Sequence, residues 1–330
     1  MASGFGSAFV TGGSGFIGGR LLARLAADGV NVRALARSEV SAAKVAELGA
    51  EPVRGDLDDV AAMAAGAEGC DVSFHLAAFV AEWGTREEFE RGNVAGTRNA
   101  LEASRRAGVR RFVHCGTEAA ILAGQPVHEA DETAPLRPDS PALYSATKAE
   151  AEGLVRAATG GDMETVVIRP RFVWGKGDTT LLPEIAAAVE SGRFAWVGDG
   201  GHRTSITHVE NVAEGLVRGA EAGAGGSAYF VTDGAPVVFR EFISELLATQ
   251  GVEAPDRSIP AWVAGAVARG GEAAWRLLPL RGAPPLTRFA LWAASLDCTL
   301  DDSRARAELG YAPIVSREQG LAEMRGGSAG

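Results

Sequence analysis

Tyr144 and Lys148 are the side chains in this sequence whose types and spacing point most directly to chemistry. Four apart on a helix, they share one face. The chain has only three Tyr and three Lys among 330 residues, so composition alone would produce a Tyr-x-x-x-Lys about 0.03 times. A phenol, with an ordinary pKa of about 10, exchanges protons poorly at neutral pH. A neighbouring ammonium and a cationic ring would favour the phenolate, so Lys148 is expected to lower the Tyr144 pKa and make it an acid/base. Thr117, expected at the end of a strand, is placed to offer a hydroxyl to the same substrate oxygen.

A second constellation lies at the start of the chain, where Ala8 to Gly18 reads as a strand, a glycine turn and a helix start. Gly12, Gly15 and Gly18 let the backbone approach a pyrophosphate, and the helix opening at Phe16 and Ile17 supplies amide donors. About 20 residues further on, an acid would hold the ribose 2′-hydroxyl of NAD. Here the sequence has Ala36 followed by Arg37, with Lys44 in the next helix. Arg37 and Lys44 are expected to pair with the 2′-phosphate of NADP, with NAD as the alternative.

These residues need a frame, and the hydrophobic pattern supplies one. Short apolar runs at Ala8–Thr11, Val30–Ala36, Pro52–Arg54, Val72–Leu76, Arg111–Cys115 and Thr165–Ile168 alternate with amphipathic stretches. The long helices are expected near Arg86–Ala107 and Pro141–Ala158, the latter opened by Ser140 as N-cap and Pro141 in its first turn. The fold class that follows is α/β: a Rossmann doubly wound parallel sheet over residues 1–170 with a smaller substrate lobe over 171–330. One segment near Ser227–Val231 is expected to return to the sheet.

Composition narrows the partners. The net charge is −10 and no stripe of Lys and Arg forms, which argues against nucleic acid and an anionic membrane as partners. Cys70, Cys115 and Cys298 suit reduced thiols in a cytoplasmic protein, and the five histidines show no metal-ligand spacing, so no metal is expected. Charges within 261–292 forbid a spanning helix there and no stable membrane insertion is expected; surface contact through Trp262, Trp275 and Trp292 is the lesser alternative to burial over a substrate. The tail Gly326–Gly330 is expected to be disordered.

Thr11-Gly12-x-x-Gly15-x-x-Gly18, Asp56-Leu57, His75-Leu76-Ala77-Ala78, Asn93-Val94-x-Gly96-Thr97, Tyr144-x-x-x-Lys148 and Arg169-Pro170 together resemble the extended short-chain dehydrogenase/reductase superfamily. Gly116-Thr117-Glu118-Ala119, Thr207-His208-Val209-x-Asn211-Val212, Pro285-Leu286-Thr287-Arg288 and Glu308-Leu309-Gly310-Tyr311-x-Pro313 resemble its 3β-hydroxysteroid dehydrogenase-like and dihydroflavonol reductase-like branch. The resemblance implies a catalytic trio of Thr117, Tyr144 and Lys148, with Lys148 also on the nicotinamide ribose. It implies that Asp56 and Leu57 bracket the adenine, Ala77 and Ala78 lie along the cofactor, and Pro170 and Val173 border the nicotinamide. Gly116 departs from the serine usual before the catalytic hydroxyl, which removes a polar contact.

The activity this implies is NADP(H)-dependent interconversion of an alcohol and a ketone on an apolar, ring-shaped small molecule. Trp83, Glu118, Trp174, Trp196 and Arg203 are expected to contact that substrate. A nucleotide-sugar epimerase or dehydratase retaining NAD is the alternative, and a catalytically silent cofactor sensor a further one. A homodimer through the two long helices is expected from the superfamily.

Overall fold

The computed structural model describes residues 4–278 and 280–326, so the tail expected at 326–330 lies outside them beyond Gly326, which itself ends a helix. The strands are β1 Ser7–Thr11, β2 Asn31–Ala36, β3 Glu51–Arg54, β4 Val72–His75, β5 Arg111–Cys115, β6 Val127–Ala130, β7 Glu164–Pro170, β8 Val173–Trp174, β9 Trp196–Val197, β10 Arg203–Thr204, β11 Thr207–His208, β12 Ser227–Val231, β13 Val237–Val238, β14 Ser258–Ile259 and β15 Cys298–Leu300. The helices are α1 Phe16–Ala27, α2 Glu39–Glu47, α3 Val60–Ala67, α4 Arg86–Phe89, α5 Gly96–Arg106, α6 Leu143–Ala157, α7 Leu181–Glu190, α8 Val209–Ala222, α9 Phe239–Thr249, α10 Ala261–Leu277, α11 Arg288–Ser295, α12 Ser303–Leu309 and α13 Arg317–Gly326.

Seven parallel strands form the central sheet in the order β12-β7-β5-β4-β1-β2-β3. The expected return of Ser227–Val231 is β12, which extends the sheet beyond β7. Strand order reverses between β1 and β4, and in such sheets the crevice at the carboxyl ends of the strands around that reversal binds ligands. Leu21, Leu22 and Leu25 of α1 and Val212, Leu216 and Val217 of α8 pack on one face. Met63 of α3, Leu101 of α5 and Val155 of α6 pack on the other. Continuous apolar runs such as Val166–Ile168 suit strands covered on both faces.

The second half builds a four-stranded sheet, β13-β10-β15-β6, that takes β6 from within the first 170 residues. Two further two-stranded pairings, β8 with β11 and β9 with β14, complete the lobe.

Two helix expectations are corrected. The helix expected over Arg86–Ala107 contains a π-helical segment, Glu90–Ala95, between α4 and α5. Asn93 sits in it, with Oδ1 accepting from the Phe79 amide (2.7 Å) and Nδ2 donating to Thr147 Oγ1 of α6 (3.1 Å), which accounts for the widened turn. The helix expected from Pro141 begins instead at Leu143 behind Ala142, with no side-chain cap, because Ser140 Oγ reaches only the Ala142 amide, at 3.4 Å.

Candidate active site

Gly12 opens the crevice at the end of β1. Its φ of +78° belongs to the left-handed region, and a Cβ there would lie 2.6 Å from the Ala77 amide nitrogen. A Cβ on Gly18 would stand 2.0 Å from the Gly12 carbonyl oxygen. No side chain caps α1 at Gly15, so the amides of its first turn, including those of Phe16 and Ile17, face the crevice without a side-chain acceptor. A glycine floor and an uncapped helix start fit a pyrophosphate.

The other expected cofactor residues ring this crevice. Ala77 and Ala78 follow β4, and Thr11 Oγ1 accepts from the Ala77 amide (3.4 Å). Thr11 also bonds His75 Nδ1 (2.8 Å), whose Nε2 bonds Thr97 (3.1 Å), so His75 joins β1, β4 and α5 from inside. Asp56 and Leu57 follow β3; Asp56 is exposed, and Leu57 accepts from Asn99 Nδ2 (2.9 Å). Arg37 and Lys44 stand exposed just beyond β2 and on α2, without an ion pair among the described residues. Pro170 ends β7 in the core and Val173, half-buried, begins β8.

At the end of β5 the three residues expected to be catalytic come together. Thr117 caps a 3-10 turn, Glu118–Ile121, its Oγ1 accepting from the Ala119 amide (3.2 Å) and donating to Glu118 Oε2 (2.7 Å). Lys148 is buried, and its Nζ donates to the Cys115 carbonyl (3.1 Å). Burial lowers the Lys148 pKa, with Cys115 and Glu152 pulling it back up.

Tyr144 corrects the sequence expectation. Burial pushes its phenol well above the ordinary value and Glu118 and Cys115 add to the rise, while hydrogen bonding to Thr117 opposes it. The expected lowering by Lys148 is absent because desolvation dominates in the chain alone and the ammonium is directed to the Cys115 carbonyl. Gly116 leaves no gap either: a Cβ there would meet Val167 Cγ1 at 2.7 Å, so packed hydrocarbon occupies the place of the usual serine.

A narrow cleft opens beside the Tyr144 ring, lined by Trp83, Phe89, Leu143, Glu272, Arg276 and Phe289 among others. Phe289 of α11 meets Tyr144 edge-on, with ring centroids 5.2 Å apart. Arg276 lies over the Trp83 ring at 5.5 Å. Glu82 also lines the cleft, and burial raises its carboxyl pKa.

Of the five residues expected on the substrate, Trp83 lies in this cleft. Trp174 and Trp196 are 1% exposed and belong to the core of the second lobe. Their indole N–H groups are satisfied by Asp233 and the Pro255 carbonyl, so these two are corrected to packing residues. Arg203 is exposed and reaches the Pro236 carbonyl (3.2 Å), away from the Tyr144 cleft. Glu118 is buried with both oxygens engaged, one by Thr117 and the other by Arg171 (2.6 Å). Phe289 and Arg276 were missed because no motif ties α10 and α11 to Tyr144.

A doubly wound sheet with a glycine turn and an uncapped helix at its reversal, and a Tyr-Lys pair on α6 beside the end of β5, defines a class: oxidoreductases that bind a nicotinamide dinucleotide. Comparison with known proteins narrows it. Residues 9–261 match the model of the 3-beta hydroxysteroid dehydrogenase/isomerase family. The chain is 47% identical, over 96% of its length and 95% of the relative's, to the 4-hydroxy-2-methyl-3-oxo-4-farnesyl-3,4-dihydroquinoline-1-oxide ketoreductase of Stigmatella aurantiaca. It is 38% identical to the 2-alkyl-3-oxoalkanoate reductase of Stenotrophomonas maltophilia (strain K279a), over 97% and 98% of the two chains. The crystal structure of gox2253 superimposes with a TM-score of 0.78 at 28% identity, covering 97% of this chain and 98% of that one.

The chain belongs to the 3-beta hydroxysteroid dehydrogenase/isomerase family, within the extended short-chain dehydrogenases/reductases. It is an oxidoreductase that interconverts hydroxyl and keto groups.

Proposed function

We propose that this enzyme reduces a ketone on a largely apolar small molecule, using NADPH. The observation that carries this reading is the cleft at Tyr144, whose walls are aromatic or aliphatic at Trp83, Phe89, Leu143 and Phe289. The two relatives named above are reductases of 3-oxo compounds bearing farnesyl or alkyl groups, in keeping with such a cleft. The bound cofactor supplies hydride from its nicotinamide.

Everything else falls to the chain. Tyr144 donates a proton to the ketone oxygen, and with substrate bound the Thr117 hydroxyl turns from Glu118 to donate a hydrogen bond to that oxygen. Lys148, held by the Cys115 carbonyl, anchors the nicotinamide ribose. The crevice amides hold the pyrophosphate, and Asp56, Leu57, Ala77, Ala78, Pro170 and Val173 flank the rest of the dinucleotide.

The choice of NADPH rests on Arg37 and Lys44, exposed and free of ion pairs among the described residues, where an acid would otherwise reject a 2′-phosphate. Arg37→Ala tests it. The expected result is a rise of about tenfold or more in the NADPH Kd, equivalent to roughly 1.4 kcal/mol, with NADH little affected. Equal affinity for NADPH and NADH in the parent, unchanged by the substitution, would overturn the cofactor assignment.

A further inference from the structure

Helix α6 places a chemically active side chain at each of three successive turns. Tyr144, Lys148 and Glu152 stand four apart on one face, and Lys148 and Glu152 are both buried. Glu152 meets Arg169 of β7 in a two-pronged ion pair, Arg169 Nε donating to Oε2 (2.9 Å) and Nη2 to Oε1. Both side chains are closed off from solvent, at 1% and 0% exposure. The Arg169 stem passes Gly116, where a Cβ would lie 3.5 Å from its Cγ, and its guanidinium lies over the Phe230 ring at 5.0 Å. The pair therefore sits where the ends of β5 and β7 meet the helix that carries Tyr144.

Stability is a poor account of this pair. A buried ion pair returns little beyond its desolvation cost, and apolar side chains of similar volume often serve as well. This one is also incomplete: Arg169 Nη1 is buried without a hydrogen-bond partner among the described residues. What an apolar pair could not supply is a negative charge one turn from Lys148.

Few other groups can supply it. The titratable groups facing Lys148 are His75 on β4, His114 and Cys115 on β5, and Glu152 on its own helix. Burial holds both histidines neutral and pushes the Cys115 thiol up to about 11, which leaves Glu152 as the carboxylate of the set. Glu118, on the turn packed against α6, is taken up by Thr117 and Arg171, and Tyr144 is a buried phenol. From these observations we infer that Glu152 is a positioning residue, aligned by Arg169, whose carboxylate holds Lys148 as an ammonium at the Cys115 carbonyl. Arg169 thus does beside Lys148 what Arg171 does beside Thr117: each fixes a buried glutamate. The consequence for turnover rests on the role proposed for Lys148; the placement of charge does not.

Lysine-selective ¹³C labelling tests it by NMR, since the chain has three lysines and Lys44 and Lys176 are exposed. Glu152→Gln can still accept from Arg169 through its amide oxygen but carries no charge. In it the Lys148 Cε resonance should titrate about one pH unit or more below the parent's, a tenfold loss of proton affinity, with Lys44 and Lys176 unmoved. The double variant Glu152→Met with Arg169→Met removes both charges, keeps the space filled and should hold Tm near the parent's, and the same fall is expected in it. In both, the alkaline limb of kcat for ketone reduction should move down with the Lys148 titration. A Lys148 titration unchanged in both variants would overturn the inference and leave the pair to packing alone. A titration that moves while the rate profile stays fixed would uphold the placement of charge and overturn instead the role given to Lys148 in the reaction.

Discussion

In the proposed reaction Tyr144 enters as a phenol whose proton burial holds more tightly than water would. A protonated tyrosine is the form needed to deliver a proton to a ketone oxygen, and Thr117 bears on it directly. Without substrate the Thr117 hydroxyl donates to Glu118 and accepts from the Ala119 amide, which leaves one lone pair to accept from Tyr144. In that proposed reaction Glu118 is a positioning residue for Thr117, itself held by Arg171, which also donates to Thr204 Oγ1 (2.9 Å). Glu118→Gln should lower kcat about tenfold, or roughly 1.4 kcal/mol of barrier, shift the pH profile and leave cofactor affinity unaltered. An unchanged kcat and pH profile would show that the carboxylate serves packing alone. Tyr144 and Lys148 were legible in the sequence because both residue types are scarce. Phe289 was not, since its edge contact with Tyr144 joins distant parts of the chain and leaves no spacing to read.

At the scale of elements, strands and helices of the central sheet were legible wherever a run was long enough to show its period. Val72–Leu76 and Thr165–Ile168 read as strands, and they fall on β4, Val72–His75, and within β7, Glu164–Pro170. The two-residue pairings β8 with β11 and β9 with β14 carry no period and escaped notice. The π-helical segment at Glu90–Ala95 was equally hidden, because its cause is tertiary: Asn93 is drawn to Phe79 and Thr147, tying the loop after β4 to the helix that carries Tyr144. The turn into α1 depends on close backbone approach, and Gly18→Ala would press a methyl against the Gly12 carbonyl. The expected outcome is a loss of cofactor affinity of tenfold or more by fluorescence titration, equivalent to about 1.4 kcal/mol. Unaltered affinity would remove Gly18 from the crevice.

For the whole molecule, burial of neutral histidines sets the response to acid. His75 is lowered from 6.5 to about 3 by burial, with the Lys148 charge adding to the effect. The unfolded chain therefore takes up a proton at this residue below pH 6.5 while the folded chain resists until about pH 3. Stability is lost as pH falls through that window, by an amount on the order of 5 kcal/mol. His208, lowered to about 4 by burial and Arg20, acts in the same direction. Asp233, pushed up to about 6 by burial, acts in the opposite direction and gains stability as pH falls from 6 toward its ordinary 3.8. His75→Gln should flatten the fall of Tm between pH 6.5 and 4, and a curve parallel to the parent's would contradict the assignment. Reduction of a ketone through Tyr144 is the central claim, and kcat for nicotinamide-dependent reduction by Tyr144→Phe tests it most directly. The account predicts a fall of about 10²–10⁴-fold with cofactor affinity preserved; turnover equal to the parent's would contradict it.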